Sequence, residues 1–144
     1  LKEIRAYEAV EDYTNETYLK LIHDNYYPEH VLRMPAEDWP EDVSNAFAEL
    51  NFPIYLKMQG PSEFGIVGNA SLKDWDVTGA LNKLEIPFLS IGAEHDTMDP
   101  KQMKWMANEV QNGSYLHCPN GSHMAMWDDT ENYFKGLIEF INQL

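Results

Sequence analysis

Two short polar segments of this chain carry the residues best suited to chemistry. Residues 92–96 include two acids and a histidine, and they directly follow the apolar run at residues 86–91. Residues 120–129 include a histidine and two aspartates, and they follow a second short run at residues 114–118. In an open parallel sheet, ligands and catalytic groups collect just beyond the carboxyl ends of the strands. We therefore expect both segments at one edge of such a sheet.

Asp96 and His123 form the pair with the clearest catalytic meaning. A histidine that acts as a general base needs a carboxylate at its other ring nitrogen, which fixes the tautomer and stabilises the imidazolium. An Asp that precedes its His follows the Ser…Asp…His order of the α/β-hydrolase triad. Glu94 and His95 are alternatives to Asp96. Asp96 itself could also have only a structural role, in turning the loop. His117 is an alternative to His123, but it lies inside the second run, so we predict a structural role for it.

The nucleophile of such a triad is missing from this chain. No Gly-x-Ser-x-Gly segment, which forms the nucleophile elbow of the fold, occurs in the sequence. The single cysteine, Cys118, ends the second run, where cysteine usually serves as a small apolar filler. Asp128 and Asp129 have the position of helix-start residues and need no catalytic role. No His-x-x-x-His or paired-cysteine spacing predicts a metal site, and no cofactor is expected.

Composition and charge exclude several classes of partner. Lys and Arg together number 10 and Asp and Glu number 24, which gives a formal net charge of −14. Because nucleic-acid binding needs clustered cations, no nucleic acid is expected as a partner. The apolar runs are too short to span a bilayer, so no membrane partner is expected either. A single cysteine excludes an intrachain disulfide, and we expect a cytoplasmic location.

The first part of the chain, up to about Phe64, is predicted to be helical and without strands. Thr14 is predicted to cap a first helix, which ends before Pro28 because a residue that precedes proline avoids the helical region. Pro40 is predicted at the first position of a second helix, which closes at residues 51–53.

From about Asp74 the pattern changes to alternating strands and helices. Residues 86–91 form a continuous apolar run, which is typical of a strand covered on both faces. A helix from Pro100 is predicted to connect it to a parallel strand at residues 114–118, by a right-handed crossover. The last helix, from Thr130, is predicted to turn an apolar face to the core, made of Tyr133, Phe134, Leu137, Ile138 and Ile141.

Two strands cannot make a covered sheet. We therefore expect the remaining strands of the sheet to come from sequence upstream of Leu1. The two halves of the chain also differ in character, so we expect the chain to be a piece of a longer protein.

Four ordered motifs give the sequence a specific resemblance. Residues 58–64 (MQGPSEF), 73–77 (KDWDV), 92–100 and 121–129 together resemble the carboxyl-terminal half of the proline iminopeptidase (prolyl aminopeptidase) family. Members of this family are α/β-hydrolase serine peptidases with a helical cap. The resemblance implies an α/β fold in which residues 1–66 are a portion of the cap. It implies that residues 67–144 are the carboxyl-terminal part of the core, with the last two parallel strands and their helices.

The same resemblance implies roles for three residues. Asp96 would be the triad acid and His123 the general base, while the nucleophile and both oxyanion-hole amides lie upstream. Glu63 would pair with the free α-amino group of the substrate, a charge-assisted contact that an acylated amino terminus cannot make. The alternative is a surface glutamate in a Gly-Pro turn. Some family members carry a second glutamate directly after the triad Asp, where this chain has Thr97, so Glu63 acts alone or with a residue such as Glu94.

The resemblance implies a serine exopeptidase that hydrolyses the amide bond after an amino-terminal residue, proline or similar, through an acyl-enzyme. Its partners would be a peptide or amino-acid amide with a free amino terminus and the upstream half of the same hydrolase. An amino-acid amidase or esterase on the same fold is one alternative, because the triad is shared and only the pocket differs. A hydrolase-like module without catalysis, in which the Asp and His are relics, is another.

Overall fold

The computed structural model describes all residues from 1 to 144 and divides them into two compact units. The first unit comprises Leu1–Asn25 and Pro35–Asp76, and the second comprises Tyr26–Met34 and Val77–Leu144. The first unit contains only helices, whereas both strands lie in the second. The predicted boundary at residue 66, between a portion of the cap and the core of the hydrolase, stays a prediction.

The helical part of the chain contains five short α-helices. They are α1 (Lys2–Ala9), α2 (Glu16–Leu21), α3 (Tyr27–His30), α4 (Glu41–Ala48) and α5 (Phe52–Met58). A π-helical turn, Ile22–Tyr26, joins α2 to α3, and a 3-10 turn, Ala36–Asp38, precedes α4. None of the helices in the structure has the length and apolarity needed to cross a bilayer.

Both predicted limits of the first helix are wrong. Asn15, rather than Thr14, caps α2, because its side-chain oxygen accepts the N–H of Thr17 at 3.0 Å. Helical structure also continues past Pro28. This proline lies at the beginning of α3, directly after the π-helical turn, where the regular i→i−4 hydrogen-bond pattern is already interrupted, so its missing N–H is tolerated.

The predicted stop at residues 51–53 is the start of a further helix. The side-chain oxygen of Asn51 accepts the N–H of Ile54 at 3.3 Å and caps α5, and Pro53 occupies the first turn. An Asn followed closely by Pro is compatible with the end of one helix and with the beginning of another. Here it begins α5, and α4 has already ended at Ala48. Pro40 stands at the cap position of α4, one residue before its predicted place.

The second unit is built on two parallel strands. Strand β1 (Phe88–Ala93) pairs with β2 (Gly113–Cys118) in register from Phe88 and Gly113 to Ala93 and Cys118. Helix α6 (Pro100–Glu109) connects them, as predicted, and α7 (Ala125–Asp128) and α8 (Thr130–Ile141) follow. A 3-10 helix, Thr78–Lys83, precedes β1.

The edges of this unit differ from the prediction in two respects. Ile86 lies outside β1 and is 65% exposed, because Pro87 lacks the N–H that a longer strand would need there. The apolar face of α8 is also only partly buried: Phe134, Ile138 and Ile141 are exposed. Helix α8 packs on β2 through Gly136, where a Cβ atom would lie 2.3 Å from Leu116, and two strands are too narrow to cover the rest of the helix.

Candidate functional site

The loops that follow β1 and β2 are joined through their backbones. The N–H of Glu94 donates to the carbonyl of Cys118 at 3.1 Å, which extends the strand pairing by one residue. The N–H of His95 then donates to the carbonyl of Gly121 at 3.0 Å. Gly121 is required by close packing, because a Cβ there would lie 2.7 Å from that of Ala125. The two polar segments singled out in the sequence therefore lie together at one edge of the sheet.

Asp96 and His123 are in direct contact at this edge. Oδ1 of Asp96 lies 3.0 Å from Nδ1 of His123, and it also accepts the N–H of Met98 at 3.0 Å and the hydroxyl of Thr97 at 3.2 Å. The Asp96 side chain is 10% exposed and that of His123 is 47% exposed. An ionised carboxylate only accepts hydrogen bonds, so Nδ1 carries the proton and Nε2 is the nitrogen that can accept one.

The surroundings of Asp96 favour its ionised form. Burial raises its pKa, but the hydrogen bond with His123, the backbone N–H of Met98, the charge of His123 and the Thr97 hydroxyl together outweigh burial. The net effect holds the pKa of Asp96 below its ordinary value. Asp96 is therefore negatively charged at neutral pH, which is the state that stabilises an imidazolium.

The last residue of α3 and the residue that follows it support the His123 loop. The carbonyl of His30 accepts the N–H of His123 at 3.1 Å, and the carbonyl of Val31 accepts the N–H of Met124 at 2.9 Å. The hydroxyl oxygen of Ser122 lies 2.8 Å from the same Val31 carbonyl, and its one proton is shared between this carbonyl and the carboxylate of Asp128. The backbone on both sides of the His123 ring is therefore fixed by residues from a distant part of the sequence.

His30 contacts both loops. Its carbonyl holds the backbone of His123, and its ring nitrogen Nδ1 lies 2.9 Å from the carbonyl of His95, next to Asp96. One residue thus fixes the loop of the acid and the loop of the base. Sequence reasoning missed His30, because no local pattern shows that residue 30 returns to a sheet formed by residues 88–118.

Asp128 has a larger role than the predicted helix start. One oxygen accepts the N–H of Ser122 at 3.0 Å, and the other accepts the Ser122 hydroxyl and the N–H of Arg33 at 3.1 Å. Asp129 likewise accepts the N–H of Asn120 at 3.1 Å. Both aspartates therefore hold the turn that carries His123. Two adjacent acids so soon after a histidine are the signal in the sequence that could have indicated this supporting role.

The alternative site residues have other partners. His117 projects from β2, with Nε2 3.6 Å from the Glu94 carboxylate and Nδ1 3.3 Å from the Tyr115 hydroxyl. Cys118 is fully buried with Ala93 and Ala125. Burial, with the charges of the nearby aspartates adding to it, raises the pKa of the Cys118 thiol to about 11. The thiol is therefore protonated and acts as an apolar filler.

Glu63 lies in the first unit, in a tight turn. Gly60 has a φ of +89°, and a Cβ there would lie 3.0 Å from the carbonyl oxygen of Val67. The hydroxyl of Ser62, which is buried, accepts the N–H of Phe64 at 3.0 Å, while Glu63 itself is half-buried. No group of three or more His, Cys, Asp and Glu side chains in the structure is placed to hold a metal ion.

Comparison with known proteins finds relatives over the whole chain. A curated protein named proline iminopeptidase from Flavobacterium johnsoniae is 48% identical over 144 residues, which are 100% of this chain and 47% of that protein. Proteins of the same name from Elizabethkingia meningoseptica and Saccharolobus solfataricus are 44% and 32% identical, over 48% and 44% of their lengths. The chain therefore spans about half the length of the curated relatives it matches. No protein-family model matches the chain.

Two solved structures share its fold. The crystal structure of VinJ has a TM-score of 0.83 and 28% identity, and the match covers 98% of this chain and 47% of that one. The crystal structure of proline iminopeptidase from Mycobacterium smegmatis has a TM-score of 0.80 and 28% identity, and the match covers 97% of this chain and 46% of that one. Along its whole length the chain is thus related to the proline iminopeptidases and has part of an α/β-hydrolase fold, as its motifs predicted.

Proposed function

We propose that this chain supplies the general base, its orienting acid and the amine anchor of a serine exopeptidase. The enzyme would hydrolyse the amide bond after an amino-terminal residue, proline or similar. The observation that carries the proposal is the 3.0 Å contact between Asp96 and His123, just beyond two parallel strands. The similarity to proteins named proline iminopeptidase, along all of this chain, supports the substrate class.

The rest of the catalytic machinery is assigned to an upstream half of the same protein. That half would carry the nucleophilic serine and the oxyanion-hole amides, residues 1–66 would be a portion of the cap, and residues 67–144 would complete the core. Two observations support this division. The sequence has no Gly-x-Ser-x-Gly segment, and the chain matches only about half of each relative.

In the proposed reaction, Nε2 of His123 takes the proton of the serine hydroxyl as its oxygen attacks the carbonyl carbon of the substrate. Asp96 stays ionised and stabilises the imidazolium. His123 then gives the proton to the leaving nitrogen, the carbon–nitrogen bond breaks, and an acyl-enzyme remains. In the second half, water attacks the acyl group, His123 takes its proton, and the proton returns to the serine as the free acid leaves.

Glu63 is proposed to hold the ammonium group of the substrate. Thr97, which stands where some family members have a second glutamate, carries no charge, and its hydroxyl donates to Asp96. Glu94, the other candidate for a helping carboxylate, faces His117. These contacts favour Glu63 as the sole anchor of the amine.

The proposal is tested with the complete protein, in which the serine-bearing half is present. Three substrates are compared: an amino-acid anilide with a free amine, its N-acetyl derivative, and a simple ester without an amine. We expect turnover of the free-amine anilide and none of the N-acetyl form. Equal turnover of both anilides would contradict an exopeptidase, turnover of the ester alone would favour an esterase, and no turnover of any would favour a non-catalytic module.

Glu63→Gln tests the anchor itself, because it keeps the shape of the side chain and removes its charge. A charged hydrogen bond contributes roughly 1.5–3 kcal/mol, so kcat/KM for the free-amine anilide should fall about ten- to a hundred-fold. The ester should be hydrolysed as before. Glu49→Gln, at an exposed glutamate of the same unit, is the matched control. Equal losses on anilide and ester would instead mean that Glu63 is structural.

A further inference from the structure

We propose that Glu8 is a positioning residue that sets the place of Glu63, and thereby the affinity for the substrate amine. The inference rests on the proposed role of Glu63 as the amine anchor. It concerns the first unit alone, to which both glutamates belong.

The carboxylate of Glu8 joins two buried hydroxyl groups. Oε1 accepts the hydroxyl of Tyr18 at 2.5 Å, and Oε2 accepts the hydroxyl of Ser62 at 2.7 Å. Tyr18 and Ser62 are each only 1% exposed. Buried hydroxyls are costly to leave without a partner, so this carboxylate determines where both side chains lie.

Each of these two hydroxyl groups also contacts the backbone at or next to Glu63. Ser62 precedes it, and the Ser62 oxygen that donates to Glu8 also accepts the N–H of Phe64, which follows it. The same serine oxygen therefore holds the turn on either side of Glu63. A small displacement of that oxygen would move the Glu63 carboxylate with the turn.

Tyr18 makes the second connection between Glu8 and Glu63. The Tyr18 pKa is raised by burial first, then by the hydrogen bond to Glu8 and the charges of Glu8 and Glu63. A hydrogen bond from the Glu63 backbone acts in the opposite direction. The phenol therefore remains protonated and continues to donate to Glu8, while it also contacts the backbone of the proposed anchor.

Ring contacts and a helix end surround this arrangement. Tyr18 is held edge-on by the rings of Tyr7 and Tyr13, with both centroids 6.1 Å from its own. Glu8 lies in the last turn of α1, where the carbonyl of Tyr7 accepts the N–H of Asp12 at 3.1 Å and closes the helix end. A binding group whose neighbours are held by such contacts is pre-organised for its ligand.

The test is Glu8→Gln in the complete enzyme. Glutamine keeps one acceptor oxygen but puts an uncharged amide N–H₂ donor where the other carboxylate oxygen stood, so one of the two hydroxyls can no longer donate there and its proton must turn to another acceptor. We expect KM for the free-amine anilide to rise about ten-fold, because misplaced binding groups lose much of their effect, with little change in kcat. Turnover of the ester without an amine should be unchanged, and it also reports the amount of folded enzyme.

A matched control and a second variant accompany it. Glu3→Gln removes the same charge from an exposed position of the same helix and should change nothing. Ser62→Ala removes the hydroxyl that joins Glu8 to the turn of Glu63, while Glu8 keeps its charge. It should raise KM for the free-amine anilide in the same selective way.

A double-mutant cycle decides whether Glu8 acts through Glu63. Glu8→Gln placed on Glu63→Gln should cause no further loss, since the anchor is already gone. Additive losses would mean that Glu8 contacts the substrate by itself, and equal losses on anilide and ester would mean that it is merely structural. Either result would overturn the positioning role while leaving the proposed function intact. If Glu63→Gln itself spares the anilide, the proposed anchor is wrong and the role of Glu8 is wrong with it.

Discussion

Asp96 and His123 are 27 positions apart in the chain, and one oxygen of the first lies 3.0 Å from Nδ1 of the second. Their contact depends on the parallel register of β1 and β2, which ends both strands at the same level. It also depends on the hydrogen bond between His95 and Gly121, which keeps the two loops together. The pairing of an acid with a histidine here is thus a direct consequence of the crossover connection.

Replacing either member of this pair should nearly abolish activity. We expect His123→Ala to lower kcat by several orders of magnitude and Asp96→Asn to lower it about ten-thousand-fold, because the tautomer and the imidazolium lose their support. Single-turnover and steady-state rates on the free-amine anilide measure the effect. His117→Gln is the control. If His117→Gln lowered kcat as much as His123→Ala, the assignment of His123 as the general base would be contradicted.

The pH profile should show one descending limb on the acid side. A protonated imidazole cannot accept the serine proton, so kcat/KM should fall as the pH drops through about 6.5, the ordinary pKa of histidine. Asp96 adds no limb in that range. Its pKa is lowered, so it stays ionised until the pH is well below the histidine titration. A profile that is flat down to pH ~4.5 would indicate a carboxylate base instead.

Asp128→Ala should weaken both the fold and the reaction. It removes the acceptors of two backbone N–H groups and one of the two acceptors of the Ser122 hydroxyl, so we expect a loss of about 1–3 kcal/mol in the free energy of unfolding. Because the turn before His123 loosens, kcat should also fall. Denaturant titration and steady-state kinetics measure the two effects. Glu131→Ala, at an exposed position of α8, should change neither. An unchanged kcat in Asp128→Ala would contradict the positioning of His123 by this side chain.

The chain expressed by itself should associate and show no turnover. The exposed apolar side chains of α8, together with Ile86 beside the sheet, form surface that associates readily in water. Size-exclusion chromatography and the anilide assay test this expectation. A monomer that hydrolyses the anilide would contradict the assignment of the serine to another half of the protein.

The sequence predicted the sheet and the contact between its loops, because both depend on local signals. Short apolar runs indicated the strands, and the Asp99-Pro100 start with its apolar stripe indicated the crossover helix. Parallel pairing then follows from the crossover, and the placement of Asp96 near His123 follows from the pairing.

The supports of the site could not be predicted in this way. His30 is 65 positions from His95, and Glu8 is 54 positions from Ser62, so nothing in their own neighbourhoods shows these contacts. Helix ends were misplaced for a different reason. Thr14 and Asn15 are adjacent and both can cap a helix, and only the hydrogen bond to Thr17 shows which of them does.

The hydrogen bond from Ser122 to Val31 has a consequence for the order of folding. It joins residues 91 positions apart, whereas the strands and α6 are close neighbours in the chain. Closing such a long loop carries a larger entropic cost than closing the short ones. Strand pairing should therefore come early, and the backbone of His123 should reach its final place late, when the segment at residues 30–31 docks. Amide hydrogen exchange at His123 and Met124 would report that final step.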